Sequence, residues 1–442
     1  MQKKITDKRI SFLLFMLCWG AYFTSYIGRL NYSSAISSMN AEGIVSRSQA
    51  GAVSMIYFFA YAAGQLINGM LADRINPKWM LFAGLSLSGI ANGLMGTVPV
   101  YPWVLLFWGM NGYTQAMIWP PVIRIIAERF TEEKRKKYIF DFASSMTMGT
   151  FASYLLSAGA LRFLGWRFVF RLPALLLFAA AVSWILGYGY IERFVRKTDD
   201  TGNSDDRGSA DEIADMRTEE GRAAGKQPSF GEILLGSGIL AALLPVIIHG
   251  MIKDGVVQWV PTYLHEQFGV TAAFSAVLTM ALPLLNLSGA YLAKWADRKN
   301  PGRELRSASI FFMLATAALA LLATVGKFGA LLTALLFAVV TALIMAANVL
   351  FVNVIPVHFE KQGKVATVSG FLNASAYVGS AISTYVISLL AERFGWGVTV
   401  GTWIGVMTLG VVCLLIYRDR YIAMPEGQQE TERPQKGTGK KH

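Results

Sequence analysis

Long apolar stretches dominate this sequence and restrict what it can fold into. Each is long enough for a helix to cross a hydrocarbon core about 30 Å thick. Apolar residues make up 54% of the chain and charged residues only 15%, which excludes an ordinary soluble enzyme. We therefore expect an all-α polytopic membrane protein with 12 transmembrane helices. The stretches are 11–36, 48–72, 79–98, 101–126, 138–162, 168–190, 236–264, 271–294, 307–325, 329–355, 365–391 and 397–417.

The basic residues indicate how the chain is threaded. The 40 Lys and Arg exceed the 28 Asp and Glu, and 31 of them fall in the two termini and in alternate loops, against five in the remaining loops. Cationic loops stay on the cytoplasmic side. We expect a multi-pass protein of the cell membrane with both termini cytoplasmic, whose basic runs contact membrane lipids rather than nucleic acid.

A polar segment divides the twelve stretches into six and six. Residues 192–230 are rich in Gly, Ser and Asp and lack apolar periodicity, as is typical of a flexible linker. We expect a monomer made of an N-terminal six-helix bundle (1–191), a cytoplasmic linker (192–232), a C-terminal six-helix bundle (233–417) and a flexible cytoplasmic tail (418–442).

The two halves repeat each other in sequence. The tripeptide Ala-Asp-Arg at 72–74 recurs at 296–298, an offset of 224 residues. A second set recurs at an offset of 230 residues, so we expect two pseudo-symmetric bundles in parallel orientation. Its members are Ser145, Gly149, Ser153, Gly165 and Trp166, which return as Ser375, Gly379, Ser383, Gly395 and Trp396.

The 224-residue offset connects two cations inside apolar stretches. Arg29 lies well inside the first stretch, and the offset places it on Lys253 in the seventh. Burying either charge is costly, so such residues usually mark a transport pathway or a ligand site. We expect the two cations to face each other across a central cavity at similar depth. The alternative is a cation that snorkels or is hydrogen-bonded locally.

Aromatic and polar side chains accompany the first cation. Tyr22 and Tyr26 share a helix face with Arg29, and phenol hydroxyls beside a guanidinium suit a phosphate or carboxylate. The alternative is an aromatic belt at the membrane interface. On the second helix a polar and small stripe either binds a ligand or packs helices. Its members are Tyr61, Gln65, Asn68 and Gly69.

The second cation has polar neighbours on its own helix. His249 precedes Lys253 by four residues, so the two can face the same cavity. Asp254 lies about 100° away around the helix, so we expect Lys253 to take its counter-ion from another helix or from the substrate. A proton-coupling role for His249 or Asp254 stays open beside simple satisfaction by neighbours.

Patterns for catalysis, metals and cofactors are lacking in the sequence. Its four histidines and two cysteines have no metal-ligand spacing, and no GxxxxGK[ST] loop indicates ATP-driven pumping. We expect no enzyme activity, no metal and no cofactor.

Several motifs resemble the major facilitator superfamily, and within it the organophosphate:phosphate antiporters of the glycerol-3-phosphate and hexose-phosphate transporter type. The loop 69–78 (GMLADRINPK) is similar to the superfamily signature, and 293–299 (AKWADRK) to its degenerate copy. The subfamily resemblance rests on 26–33 (YIGRLNYS), 119–121 (WPP), 253–264 (KDGVVQWVPTYL) and 369–396.

The resemblance implies a cavity between two bundles that holds substrate between one basic residue of each half. Arg29 matches the arginine of the first half, whereas Lys253 stands where those carriers have an arginine. Met146 and Gln65 replace a histidine and a lysine of the family. Further matches to aromatic positions of the family's site are Tyr22, Tyr26, Tyr61, Trp119 and Tyr377.

Residues and resemblance together predict a secondary transporter. It would move a small organic anion, preferably a phosphorylated metabolite, by alternating access in exchange for inorganic phosphate. Alternatives are a transporter-like membrane sensor of an extracellular anion and a carrier of a carboxylate or sugar. Cytoplasmic contacts that hold the outward-facing state would form at Gly69, Asp73, Arg74, Asp297 and Arg298, unless these loops are only orientation signals.

Overall fold

Each of the twelve predicted stretches is helical in a computed structural model of the chain. The structure describes residues 5, 7–72, 75–97, 100–202, 230–325, 328–359, 364–420 and 422. In that part of the chain, eight helical segments are long and apolar enough to cross a membrane. The chain is thus an all-α, multi-pass membrane protein.

Short turns join most of the successive membrane-spanning stretches, which therefore alternate in direction across the membrane. We call the membrane face where α1 begins the Lys8 face, and the opposite face, where α2 begins, the Arg47 face. The first half comprises α1 (Lys8–Ala41), α2 (Arg47–Ala72), α3 (Pro77–Met95), α4 (Tyr101–Gln115), α5 (Trp119–Arg129), α6 (Glu132–Phe163) and α7 (Phe168–Gly202).

The second half begins with a short helix and ends with a long helical segment that breaks at Gly395. Its helices are α8 (Phe230–Gly236), α9 (Ile239–Phe268), α10 (Ala272–Thr279), α11 (Ala281–Lys299), α12 (Glu304–Val325), α13 (Ala330–Val349) and α14 (Val365–Tyr417). A π-helical turn (Leu350–Val354) and a 3-10 turn (Ile355–Phe359) extend α13.

Proline breaks one predicted stretch. The stretch 101–126 forms two helices, α4 and α5, because Pro120 and Pro121 have no N–H to continue the helical ladder. At the junction the Met117 amide donates to the Thr114 carbonyl at 3.1 Å, a tighter turn than in an α-helix. The break sets Trp119 at the start of α5.

The first residues of the predicted polar segment are helical. Helix α7 continues to Gly202, past residue 192 where the linker was expected to start. The chain resumes at Phe230 with α8, and residues 203–229 lie outside the described part. The apolar pattern that ends near residue 190 marks the membrane boundary, whereas backbone hydrogen bonding carries a helix further into water.

Equivalent serines of the repeat make equivalent contacts. Ser153 Oγ donates to the Ile27 carbonyl at 3.0 Å, and Ser383 Oγ donates to the Met251 carbonyl at 2.7 Å. Donors and acceptors are each related by the offsets found in the sequence. The helix pair α1 and α6 is therefore repeated by α9 and the first part of α14.

Equivalent glycines allow the same helix pairs to approach closely. A Cβ on Gly149 would lie 2.5 Å from the Phe23 carbonyl oxygen, and a Cβ on Gly379 would overlap the Ile247 carbonyl. Small residues at such crossings let helix backbones pack directly against each other in a membrane. The two-bundle repeat is thus visible in packing as well as in sequence.

Another equivalent pair of glycines, Gly165 and Gly395, forms turns on the Arg47 face. Gly165 has φ 88° and Gly395 has φ 78°, a region that favours glycine, and each is followed by a buried tryptophan, Trp166 and Trp396. In the second half, Gly395 (φ 78°, ψ 175°) departs from helical geometry inside α14, so Val365–Tyr417 consists of two helices that meet at this residue and correspond to the two predicted stretches.

We expect Gly379→Ala to destabilise the protein by about 1–3 kcal/mol, because the added methyl would push α9 and α14 apart. Thermal unfolding of the purified protein in detergent would measure the loss. Gly370→Ala is the matched control on the same helix, since nothing lies within 4 Å of a Cβ there. Equal melting temperatures for the two variants would contradict the close-packing role of Gly379.

Candidate functional site

The two predicted cations converge on one aromatic ring. The Arg29 guanidinium carbon lies 5.6 Å from the centroid of the Tyr377 ring, and Lys253 Nζ lies 5.1 Å from the same centroid. Arg29 Nη2 also donates to the Tyr377 hydroxyl at 3.2 Å. The charged groups come from α1 and α9, one from each half, and Tyr377 of α14 stands between them.

Aromatic faces surround the arginine. Its guanidinium carbon lies 4.4 Å from the Tyr61 ring centroid and 5.4 Å from that of Tyr26, and Arg29 is only 9% exposed. In the described part of the chain Arg29 makes no ion pair. Each cation–π contact contributes about 0.5–2 kcal/mol, far less than a carboxylate would. The positive charge of Arg29 therefore suits an incoming anion.

Three predicted aromatic residues form a second group one turn along α1. The Tyr22 ring lies 5.3 Å from the Tyr26 ring and 5.0 Å from the Trp119 ring, with Phe142 of α6 at 5.1 Å. Tyr26 is thus the residue that joins this group to Arg29. The structure places Tyr22 and Trp119 beside the cation pair rather than on it.

Lys253 is paired within its own helix, contrary to the sequence expectation. Its Nζ lies 3.3 Å from Asp254 Oδ2. The flexible four-carbon stem of lysine lets the ammonium reach around the helix to a neighbour whose backbone position points elsewhere. The counter-ion that was expected from another helix or from the substrate is therefore already present.

His249 is buried away from the aqueous space. Its side chain is fully buried, and its ring packs edge-on against Phe351 at 6.1 Å. Neither ring nitrogen makes a hydrogen bond; the Val246 carbonyl lies near the ring, but not in hydrogen-bonding geometry. His249 is one turn from Lys253, but its observed contacts are with the second half's own core.

Sequence reasoning missed a buried polar network behind Arg29. The Gly28 carbonyl accepts hydrogen bonds from the side-chain amides of Asn92 (3.1 Å) and Asn111 (2.9 Å). Asn31 joins through its own amide, which donates to Asn92 Oδ1 at 2.9 Å. These bonds tie the middle of α1 to α3 and α4 and so fix the backbone that carries Arg29. Asparagines inside the first, third and fourth apolar stretches are the sequence signal that could have revealed the network.

Two further site residues follow from helical spacing alone. Tyr57 precedes Tyr61 by one turn on α2, and their rings stack at 6.3 Å. Ser380 follows Tyr377 by one turn on α14, and its Oγ donates to Asp254 Oδ2 at 2.6 Å. An i, i+4 or i, i+3 search around each predicted residue would have found both.

The residues predicted to control opening are only partly described. Asp73 and Arg74 lie outside the described residues. Asp297 is partly exposed and Arg298 exposed in the last turns of α11, and Gly69 has open space around its Cβ position. No contact here tests the proposed cytoplasmic ion pairs, which stay a prediction.

Contacts between the halves close the Arg47 face. Arg47 at the start of α2 forms a 2.8 Å ion pair with Glu266 of α9 and donates to the Ala391 carbonyl of α14 at 3.1 Å. Trp396 Nε1 donates to the same Glu266 carboxylate at 2.7 Å. One carboxylate thus joins a cation of the first half to an indole of the second.

These features define a class of protein: a helical membrane protein of two repeated halves, with a cation from each half meeting at an aromatic ring and one face closed. A profile of the Major Facilitator Superfamily matches residues 18–384. The chain belongs to this superfamily.

Several named proteins are similar to this chain over most of its length. It is 22% identical to a probable hexose phosphate transport protein of Chlamydia trachomatis, over 94% of this chain and 91% of the relative. It is 24% identical to the glycerol-3-phosphate transporter of Bacillus subtilis, over 88% of each chain. It is also 20% identical to the membrane sensor protein UhpC of Salmonella typhimurium, over 86% of this chain and 85% of the relative.

A solved structure has the same fold. A bacterial homologue of the human lysosomal transporter Spinster superposes with a TM-score of 0.73 at 16% sequence identity. The match covers 93% of this chain and 96% of that one. At this identity the likeness extends to the fold alone.

We expect Glu266→Gln to open the Arg47 face, because Arg47 would lose its ionic partner. A half-exposed pair contributes up to about 1 kcal/mol, which corresponds to roughly a fivefold shift in population. The reporter is Ser388→Cys, buried where α14 meets Gly51 of α2, in a background without Cys18 and Cys413. The rate of labelling by a membrane-impermeant thiol reagent measures the opening.

Glu42→Gln is the matched control for this experiment. Glu42 occupies the repeat position of Glu266, at the 224-residue offset, but it pairs with Arg167 of its own half at 3.4 Å. Labelling should therefore be unchanged in this variant. If both variants label equally fast, the Arg47–Glu266 pair does not hold the face closed.

Proposed function

We propose that this chain is a secondary active transporter that moves a small organic anion across the cell membrane by alternating access. The observation that carries the proposal is the meeting of Arg29 and Lys253, from opposite halves, at the ring of Tyr377. A bound anion bridges the two halves there and offsets the positive charge that otherwise opposes their closure.

A phosphorylated metabolite is the favoured substrate class, with inorganic phosphate as the exchanged ion. The guanidinium of Arg29 and the hydroxyls of Tyr26, Tyr61 and Tyr377 supply the several donors that a phosphoryl group accepts from. Similarity to hexose phosphate and glycerol-3-phosphate transporters supports the same class. Tyr22, Trp119 and His249 act around this centre as supporting residues.

Alternating access follows from the closed Arg47 face. With the termini and the central linker cytoplasmic, as the cationic loops indicate, the Arg47 face is extracellular and the described conformation is closed on the outside. Rocking of the two bundles breaks the Arg47–Glu266 contact and forms contacts among Gly69, Asp297 and the loop that contains Asp73 and Arg74. No enzymatic step is part of this cycle, and a monomer suffices for it.

We expect Arg29→Gln to abolish anion exchange, because it removes the cation that no carboxylate of the described residues neutralises. The test is counterflow of radiolabelled phosphate in proteoliposomes against a panel of sugar phosphates, glycerophosphates and carboxylates. Arg171→Gln is the matched control: this in-span arginine packs on Phe168 of its own helix, 5.3 Å from the ring centroid. Exchange that survives Arg29→Gln would refute the proposed site.

A membrane sensor is the second candidate, favoured by similarity to UhpC. A sensor binds the anion at the same site without carrying it across. Saturable binding in detergent with no counterflow in proteoliposomes for any member of the panel would replace the transporter with the sensor.

A further inference from the structure

The counter-ion of Lys253, Asp254, also accepts a hydrogen bond from a second helix. Asp254 Oδ2 lies 3.3 Å from Lys253 Nζ and accepts the 2.6 Å hydrogen bond from Ser380 Oγ. The side chains of Lys253 and Asp254 are 20% and 16% exposed, so water screens the pair only in part. The ion pair is therefore a fixed feature of the site rather than a loose surface contact.

Ser380 holds the carboxylate in place. Its Oγ lies 3.1 Å from the Gly250 carbonyl of α9 and 3.1 Å from the Ala376 carbonyl of α14, at the close crossing of these helices. A Cβ on Gly250 would overlap the Ala376 carbonyl, so the two backbones leave little freedom here. Asp254 is thereby kept beside Lys253 and bonded to Ser380, which lies one helical turn from Tyr377.

The two cations of the site consequently differ in whether a carboxylate neutralises them. Within the described residues, Arg29 contacts aromatic faces and the Tyr377 hydroxyl but no carboxylate, whereas the charge of Lys253 is offset by Asp254. Lys253 and Ser380 contact this carboxylate directly, and His249 of its own helix and Tyr377 of α14 lie close enough to interact with it electrostatically. Counted over Arg29, Lys253 and Asp254, the site presents one net positive charge.

This charge balance discriminates between anions. The first negative charge of a substrate is matched by Arg29. A second negative charge near Lys253 meets the repulsion of Asp254 at nearly the same distance, so the attraction of the ammonium is cancelled. In a region of low dielectric such a like-charge contact costs far more than it does in water.

We propose that Asp254 is a specificity-determining residue that sets the site to prefer singly charged anions over dianions. The preferred substrates are the monoprotonated form of a phosphate ester, or another monoanion with a tetrahedral headgroup. The inference rests on the proposed function, since it assigns the charge state of the anion bound at that site.

The test compares two esters of one sugar at fixed pH. At pH 8 a hexose 6-phosphate is a dianion, because its second pKa is about 6, whereas a hexose 6-sulfate is a monoanion at every accessible pH. We expect the full-length wild type to bind the sulfate at least about tenfold more tightly than the phosphate. Asp254→Asn should lower the ratio of sulfate affinity to phosphate affinity by about tenfold.

Two variants distinguish the effect of the negative charge at position 254 from the effect of how that side chain is held. Asp254→Glu keeps the negative charge and should keep the preference for the sulfate. Ser380→Ala removes the hydrogen bond but leaves the ion pair, so the preference should fall only in part. If Asp254→Asn folds and binds both esters with the wild-type ratio, the inference is overturned while the proposed function stands.

A measurement on the wild type covers the case in which Asp254→Asn does not fold. Between pH 5 and pH 8, affinity for the hexose 6-phosphate should fall in step with ionisation of the ester, while affinity for the sulfate stays constant. A phosphate affinity that rises over this range overturns the inference. If neither ester binds at any pH and inorganic phosphate also fails to bind, the proposed function itself is refuted.

Discussion

The burial of two positive charges at the contact between two helical bundles is the constraint on which the rest of the structure depends. A cation without interacting partners is costly inside a membrane. Three tyrosine rings surround Arg29, and Asp254 neutralises Lys253. Because Tyr377 touches both cations, a change in the separation of the halves alters the environment of both charges at once. Electrostatics and bundle movement are therefore coupled at one ring.

Rigid packing within each half is what lets such a coupling act over a distance. Equivalent serine and glycine contacts fix α6 on α1 and α14 on α9, and an amide network fixes the turn that carries Arg29. Between the halves, α2 crosses α14 closely at Gly51 and Ser388, and Arg47 pairs with Glu266 on one face. Rigid packing within each bundle favours movement of whole bundles over local deformation.

Much of the fold was predictable because a helix that crosses a membrane needs a long apolar stretch, which is visible in the sequence. Apolar length predicted the helices, and the offsets of 224 and 230 residues predicted which helix pairs repeat. Proline chemistry explains the break at α4 and α5, which apolar length could not indicate. The end of α7 at Gly202 was missed because helical hydrogen bonding does not stop where hydropathy does.

The sequence by itself determined the class of the protein, its repeat and the equivalence of Arg29 and Lys253 at the repeat offset, because these depend on composition and spacing along one chain. Only the tertiary structure decided what each cation touches. Lysine's long stem reaches Asp254 although the helical wheel separates them, and Ser380 and Tyr377 join the site from a helix more than 120 residues away in sequence. Side-chain reach and the crossing of distant helices are three-dimensional properties, and spacing along one helix does not record them.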